Sequence, residues 1–373
     1  MSTATAATGE HVTQPAGGAH ERFFAAGRTQ LVDEHDRVLW QTLQRLTEGG
    51  KRFRPLLLSR TYAALGGEDQ ELAATIGEAV ELLHTAFVIH DDVIDGDLVR
   101  RGRPNVGGVF SRRAAAVGAS QERARNYGDA AGILAGDLAL AGAVREVALS
   151  GAPPAVVVRL LDLLERVLHR SAAGELADVR VSLTGDASLA DVLDIAEWKT
   201  AAYSFQLPLQ AAAILAQAGD EVVAALEEVG RSLGLAFQLR DDLDGVFGEV
   251  EQTGKDPLCD LREGKCTALI TVARSTHLWD ELAPYVGAPD LTPEGAVRAR
   301  ELLVACGARA AVEAMVSELR AAAVAAIRGL PCAAADALLE MVDLLVPRHT
   351  PAVTIREHAG AASGGRQDVR GAA

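Results

Sequence analysis

Residues 81–104 read ELLHTAFVIHDDVIDGDLVRRGRP, an apolar run that ends in four aspartates and three arginines. Leu82, Leu83, Phe87, Val88 and Ile89 lead into the acids, and the run reads as a helix. On a helix Asp91 and Asp95 stand four residues apart and Asp92 and Asp95 three, so three carboxylates share one face. Carboxylates that close repel unless a cation lies among them. A hard divalent ion that takes oxygen ligands and keeps some water, Mg²⁺ above all, suits the array and bridges it to phosphate oxygens. A solvated acidic helix end is the plainer reading. Arg100, Arg101 and Arg103 directly afterwards favour a metal–diphosphate site, because acids followed by bases bracket an anion held through a cation.

Working outward, 36 Lys+Arg against 51 Asp+Glu in 373 residues give a formal charge of −15, which excludes a generic nucleic-acid binder. Apolar residues at 49% with only 4% aromatics, in long Ala/Leu/Val/Glu/Arg stretches, predict an all-α chain. Ser188 followed by Asp191, and Thr292 followed by Pro293 and Glu294, carry helix-start signatures. There is no repeat and no linker-like shift in composition, so one helical domain is expected over 21–350. Residues 1–20 and 351–373, rich in Gly, Ala and Ser, are expected to be disordered tails. No membrane span is expected: the best apolar stretch, Gly132 to Leu149, is broken by Asp137, Arg145 and Glu146. The first twenty residues lack the basic start and apolar core of a secretory signal, which predicts a cytoplasmic protein. Cys259, Cys266, Cys306 and Cys332 form no CxxC pattern and read as reduced, packed thiols.

A second acidic cluster lies about 150 residues downstream of the first. Residues 237–249, FQLRDDLDGVFGE, place Gln238 one turn before Asp241, with Asp242 and Asp244 following. Facing the first cluster across a bundle, it could hold several Mg²⁺ ions. Residues 254–265, GKDPLCDLREGK, bring Lys255 and Lys265, which could reach phosphates as point charges. GGKRFRP at 49–55 puts Lys51 and Arg54 beside two glycines at the mouth of a helix, where an anion is favoured, although a solvent-facing turn reads equally well. His84 shares the helix face of the aspartates and reads as a core histidine or a ligand-facing one. Lys199, followed by Thr200 in AEWKTAAYSFQLPLQ, must snorkel or meet an anion, and Pro208 should kink that helix.

These motifs together, in this order and spacing over about residues 25–350, resemble the trans-isoprenyl diphosphate synthases, also called polyprenyl synthetases. The resemblance implies a single-domain, all-α isoprenoid-synthase bundle around a central cavity, and a homodimer. It implies Mg²⁺, three ions per active site, held by Asp91, Asp92, Asp95, Asp241 and Asp242. Arg100, Lys199 and Lys255 are placed like the residues that grip the allylic diphosphate. Lys51, Arg54, His84 and Arg101 resemble the pocket for isopentenyl diphosphate. Thr200 and Gln238 lie where the family orients the allylic chain, and Asp91, Asp92, Lys199 and Asp241 carry the catalytic weight. Lys265 joins the substrate-binding set.

One departure from the family stands out: its last aspartate in the second motif is Gly245 here, with Asp244 one residue before it. Asp241, Gly245 and Glu249 also approach the metal motif of class I terpene cyclases, though a cyclase has no use for a second diphosphate pocket. A non-catalytic partner subunit is the alternative of another class. Phe87 and Ala86, the fourth and fifth residues before Asp91, are the chain-length positions. One aromatic beside one alanine implies a C20 product, geranylgeranyl diphosphate, with the C15 farnesyl product next.

Overall fold

The computed structural model describes residues 18–48, 52–248 and 259–347. Residues 1–17 of the expected tail 1–20 and all of the expected tail 351–373, together with Lys51 and Lys255, lie outside the described residues.

The architecture is an all-α bundle whose longest helices carry the acidic motifs and their neighbours. Helix α1 spans Ala19–Thr29, α2 Glu34–Thr47 and α3 Phe53–Ala64. Helix α1 thus starts inside the stretch expected to be a tail, because the Glu78 carboxylate accepts the His20 N–H at 3.0 Å and supplies the first turn with an anion. Helix α4, Gln70–Asp95, begins where Asp69 accepts the Leu72 N–H at 2.9 Å, and it stops at Gly96 with φ 77°. A left-handed turn there costs glycine nothing, and it throws the chain back across the end of the aspartate helix.

A two-stranded antiparallel ribbon, Val99–Arg100 with Arg103–Pro104, makes that return and brings Arg100 over the aspartates. Helices α5, Val106–Ala116, α6, Gln121–Ala148, and α7, Pro154–Thr184, follow. Then come α8, Leu189–Ala196, a π-helical segment at Glu197–Gln206, α9, Leu207–Leu215, and α10, Asp220–Phe247. Among the described residues the remainder is helical too, with the longer pieces at Pro293–Ala305, Ala308–Ile327 and Cys332–Leu345.

The core divides between two hydrophobic clusters. One gathers α4, α6 and α7 around Ile76, Leu82, Leu83 and Leu163, and the other gathers α10 and the C-terminal helices around Leu233, Leu239, Leu303 and Val312. Burying one such side chain contributes about 1.5–3 kcal/mol. One cluster therefore anchors the first aspartate helix, α4, and the other anchors the second, α10. Helix α4 is long and apolar enough to cross a membrane by length and composition, although Glu71, Glu78 and Glu81 interrupt its apolar run; 67% of its most apolar window is buried inside the bundle, as in a core helix.

Both helix-start signatures are realised. Ser188 and Asp191 form a reciprocal capping box, and Thr292 accepts the Gly295 N–H at 3.2 Å. Cys266 and Cys306 are free thiols, whereas the side chains of Cys259 and Cys332 lie outside the described set.

The expected kink at Pro208 takes another form. Proline cannot donate to the preceding turn, and the chain widens ahead of it into the π-helical segment, where the Leu207 N–H reaches back to the Ala202 carbonyl. The wider turn fits because its neighbours give way. A Cβ on Gly174 of α7 would stand 2.6 Å from the Lys199 nitrogen, and one on Gly230 of α10 2.7 Å from Gln206 Cα.

Candidate active site

The first acidic cluster occupies the last turn of α4, and the ribbon folds Arg100 onto it. Arg100 Nε donates to Asp92 Oδ1 at 2.7 Å and Nη2 to Asp91 Oδ2 at 3.3 Å. Asp92 is 3% exposed, and its Oδ2 has no hydrogen-bond partner. Burial pushes the Asp92 pKa up to about 6, with Asp91 adding to the rise and Arg100 and Asn105 opposing it. Asp95, exposed on the next turn, is also raised, by partial burial and then by Asp91. One carboxylate oxygen is thus left without a partner, and burial raises two acids more than the neighbouring cations lower them.

Lys199 closes the other side of Asp91. Its Nζ lies 3.2 Å from Asp91 Oδ1, 2.7 Å from Asp178 Oδ2 and 3.0 Å from Glu175 Oε2. Burial acts to lower the Lys199 pKa, but Asp91, Asp178 and Glu175 outweigh it and hold the pKa above its ordinary value. Burial likewise opposes the Arg100 charge, and Asp92 with Asp91 and Asp97 overcomes it. Both bases are therefore charged throughout the neutral range. Glu175 is raised by its own burial, with Lys199 pulling the other way.

The next residue reaches the second cluster. Thr200 donates through Oγ1 to Gln238 Oε1 at 2.9 Å, and Gln238 Nε2 donates to Asp242 Oδ1 at 2.8 Å. One turn of the π-helical segment thus contacts α4 through Lys199 and the aspartate end of α10 through Thr200. Asp241 is exposed on α10, while Asp242 and Asp244 are half-buried. Lys265 is exposed, 3.1 Å from Glu263, and near enough to Asp95 to oppose the rise of its pKa.

The same segment also organises the basic pocket. Arg54 is 8% exposed and donates from Nε and Nη2 to Ser204 Oγ at 3.1 and 2.9 Å, its guanidinium 4.6 Å from the Phe53 ring centre and 5.2 Å from that of Tyr203. His84 stacks on Tyr203 at 5.9 Å and 19°, with Nδ1 3.3 Å from the hydroxyl. Burial, then Arg54, Arg100 and Arg101, hold the His84 pKa well below 6.5, so the ring is neutral. Arg101, exposed in the ribbon turn at φ 52°, lies near enough to act on it. Phe87 meets Tyr203 edge to face at 5.0 Å and 80°, and Ala86 is fully buried.

Asp91, Asp92, Arg100 and Lys199 therefore form one ion-paired group. Thr200, Gln238 and Asp242 form a hydrogen-bonded chain beside it, and Arg54, His84 and Phe87 gather on Tyr203 and Ser204. Asp95 feels the charges of Asp91, Lys265 and Lys199, and Arg101 acts on His84. Among the described residues no group of three His, Cys, Asp or Glu is gathered tightly enough to hold a metal by protein ligands alone. Sequence reasoning missed Glu175, Asp178, Tyr203 and Ser204. The acids carried a signal, two carboxylates three residues apart after Gly174 on one long helix. Tyr203 and Ser204 carried none, because their partners are more than a hundred residues away.

The chain is similar to known proteins over most of its length. Residues 36–283 match the family model for polyprenyl synthetases. The chain is 34% identical over 277 residues to the geranylfarnesyl diphosphate synthase of Aeropyrum pernix, covering 73% of this chain and 81% of that one. It is 37% identical over 224 residues to the (2E,6E)-farnesyl diphosphate synthase of Mycobacterium bovis, covering 60% of this chain and 56% of that one. The solved geranylgeranyl pyrophosphate synthase of Corynebacterium glutamicum, complexed with isoprenyl diphosphate and magnesium, superposes with a TM-score of 0.81 at 27% identity, covering 89% of this chain and 97% of that one.

Proposed function

The chain belongs to the polyprenyl synthetase family and is an isoprenyl diphosphate synthase, a trans-prenyltransferase, and from that premise we propose that it condenses isopentenyl diphosphate with allylic diphosphates to give geranylgeranyl diphosphate (C20). The observation that carries the site assignment is the pair Lys199–Thr200. Adjacent on one π-helical turn, they contact both acidic clusters, Asp91 directly and Asp242 through Gln238.

Asp91, Asp92, Asp95, Asp241 and Asp242 would hold Mg²⁺, three ions per site, together with the allylic diphosphate. The orphaned oxygen of Asp92 and its raised pKa fit a cation there. Because the acids do not close a ligand shell among themselves, diphosphate oxygens and water would complete it. When bound, Mg²⁺ supplies charge that stabilises the departing diphosphate.

Arg100, Lys199 and Lys255 grip that diphosphate, since both of the described bases are fully charged and aimed at the cluster. Thr200 and Gln238 orient the first carbons. Phe87 and Tyr203 line the apolar side and exclude water from the allylic carbocation. Arg54 and His84, with Lys51 and Arg101, hold isopentenyl diphosphate so that its double bond faces that carbon. Among the described residues Arg54 is a buried cation whose only polar partner is the Ser204 hydroxyl, which favours an incoming anion. The released diphosphate takes the proton that restores the alkene.

A small apolar cavity of about 10 Å³ lined by Ile76, Ala79, Val80 and Ala143 lies further down α4, roughly 16 Å below Asp91 by the helical rise. Phe87 stands between the two, and its edge-on contact with Tyr203 favours a short product, which makes C15 the second reading. We read the protein as a cytoplasmic homodimer without nucleic-acid partners. Ile133 and Leu134, 48% and 57% exposed on α6, are suited to a subunit contact.

Incubation of the protein and Mg²⁺ with isopentenyl diphosphate and C5, C10 or C15 allylic diphosphate, with products identified by mass, tests the proposal. A C20 diphosphate supports it and a C15 end product selects the second reading. A cyclic hydrocarbon from an allylic substrate alone selects a cyclase. No turnover by folded protein selects a non-catalytic partner subunit.

A further inference from the structure

We propose that Tyr203 and Ser204 are positioning residues for the second diphosphate: Ser204 fixes the Arg54 guanidinium, and Tyr203 fixes the tautomer of His84, so that the donors left over face the incoming anion. The proposal rests on the reading of Arg54 and His84 as the isopentenyl diphosphate pocket.

A guanidinium has five N–H donors in a rigid plane. In Arg54, Nε and Nη2 share the Ser204 oxygen at 3.1 and 2.9 Å, and the Phe53 and Tyr203 rings lie 4.6 and 5.2 Å from the guanidinium carbon. One edge of the plane is thereby pinned and its tilt is set. The remaining donors keep one direction without being neutralised, because serine is uncharged. A carboxylate in place of Ser204 would hold Arg54 equally well and would cancel the charge an anion needs.

The histidine needs a different constraint. A neutral imidazole carries its proton on one nitrogen only, and the partner of the other nitrogen decides which. Burial and three arginines keep His84 neutral. The Tyr203 hydroxyl lies 3.3 Å from Nδ1 and is held by the ring stack at 5.9 Å; in the proposed arrangement it donates to that nitrogen, and the proton is left on Nε2. Without the hydroxyl the ring is free to adopt the other tautomer, which presents a lone pair to the diphosphate. Because positions 203 and 204 follow Lys199 and Thr200 on the same π-helical segment, the element that contacts the metal clusters also holds the second substrate's donors.

Steady-state kinetics in both substrates separate positioning from mere packing. Ser204→Ala and Tyr203→Phe are expected to raise KM for isopentenyl diphosphate about five- to tenfold, with KM for the allylic substrate changed less than about twofold. Ser204→Thr, which keeps the hydroxyl, restores the parent value. In ¹⁵N-histidine NMR of the metal-free protein, His84 shows the Nε2–H form in the parent and a tautomer mixture in Tyr203→Phe. If Arg54→Gln and His84→Gln leave KM for isopentenyl diphosphate unchanged, the pocket reading itself fails. If those two raise it while Ser204→Ala and Tyr203→Phe do not, only the positioning proposal is overturned. An equal rise in both KM values, or an unchanged His84 tautomer in Tyr203→Phe, overturns it as well.

Discussion

Lys199 touches three carboxylates, and its loss exposes their mutual repulsion. Lys199→Ala should lower kcat/KM for the allylic substrate by about 100-fold or more, as expected for removing a cation aimed at a leaving diphosphate. It should also lower the melting temperature of the metal-free protein, since Asp91, Glu175 and Asp178 lose their shared partner; kinetics and calorimetry read the two effects separately. His84 gives a pH test with a definite sign. Its folded pKa lies below the free value of 6.5, so its contribution to stability is complete above 6.5 and is lost as pH falls toward the folded value. Melting of the parent should therefore decline from pH 6.5 downward, and His84→Gln should decline less; identical slopes would remove His84 from that account. Phe87, one turn and about 6 Å below Asp91, blocks the way down α4. Phe87→Ala should lengthen the product, read by mass, and an unchanged product would release Phe87 from that role.

At the scale of elements the π-helical segment is the feature that sequence reading did not foresee. Pro208 announced a disturbance, and the expected kink became a widened turn because α7 and α10 offer glycines where it presses against them. Gly230→Ala places a methyl 2.7 Å from Gln206 Cα, against backbone that cannot step aside cheaply. Overpacking of this kind costs about 1–3 kcal/mol. It should shift the register of Lys199 to Ser204 as well, so activity should fall further than the loss of stability explains. Denaturant melts paired with kinetics below the transition check this, and full activity with a lowered midpoint would show that the segment tolerates displacement. The long helices, by contrast, were legible. The runs before Asp91 and Asp241 form α4 and α10, and the Ser188 and Thr292 signals sit at real helix starts, because caps and apolar spacing act within a few residues.

For the whole molecule, the two core clusters bury the helices that carry the site. Chelation should therefore abolish turnover while leaving the far-ultraviolet circular dichroism unchanged. Mg²⁺ with inorganic diphosphate should raise the melting temperature, since a ligand that binds only the folded state stabilises it; loss of helicity on chelation would contradict this. The sequence by itself determined the helical class, the two acidic clusters, the basic elements beside them and the family, because these depend on residue type and on spacing along the chain. Only the tertiary structure decided that Glu175 and Asp178 share Lys199, that Ser204 holds Arg54 and that Tyr203 meets both His84 and Phe87. Those contacts join residues up to 150 positions apart. Their geometry follows from how α4, α7 and α10 pack around one widened turn, and no local pattern in the chain records that packing.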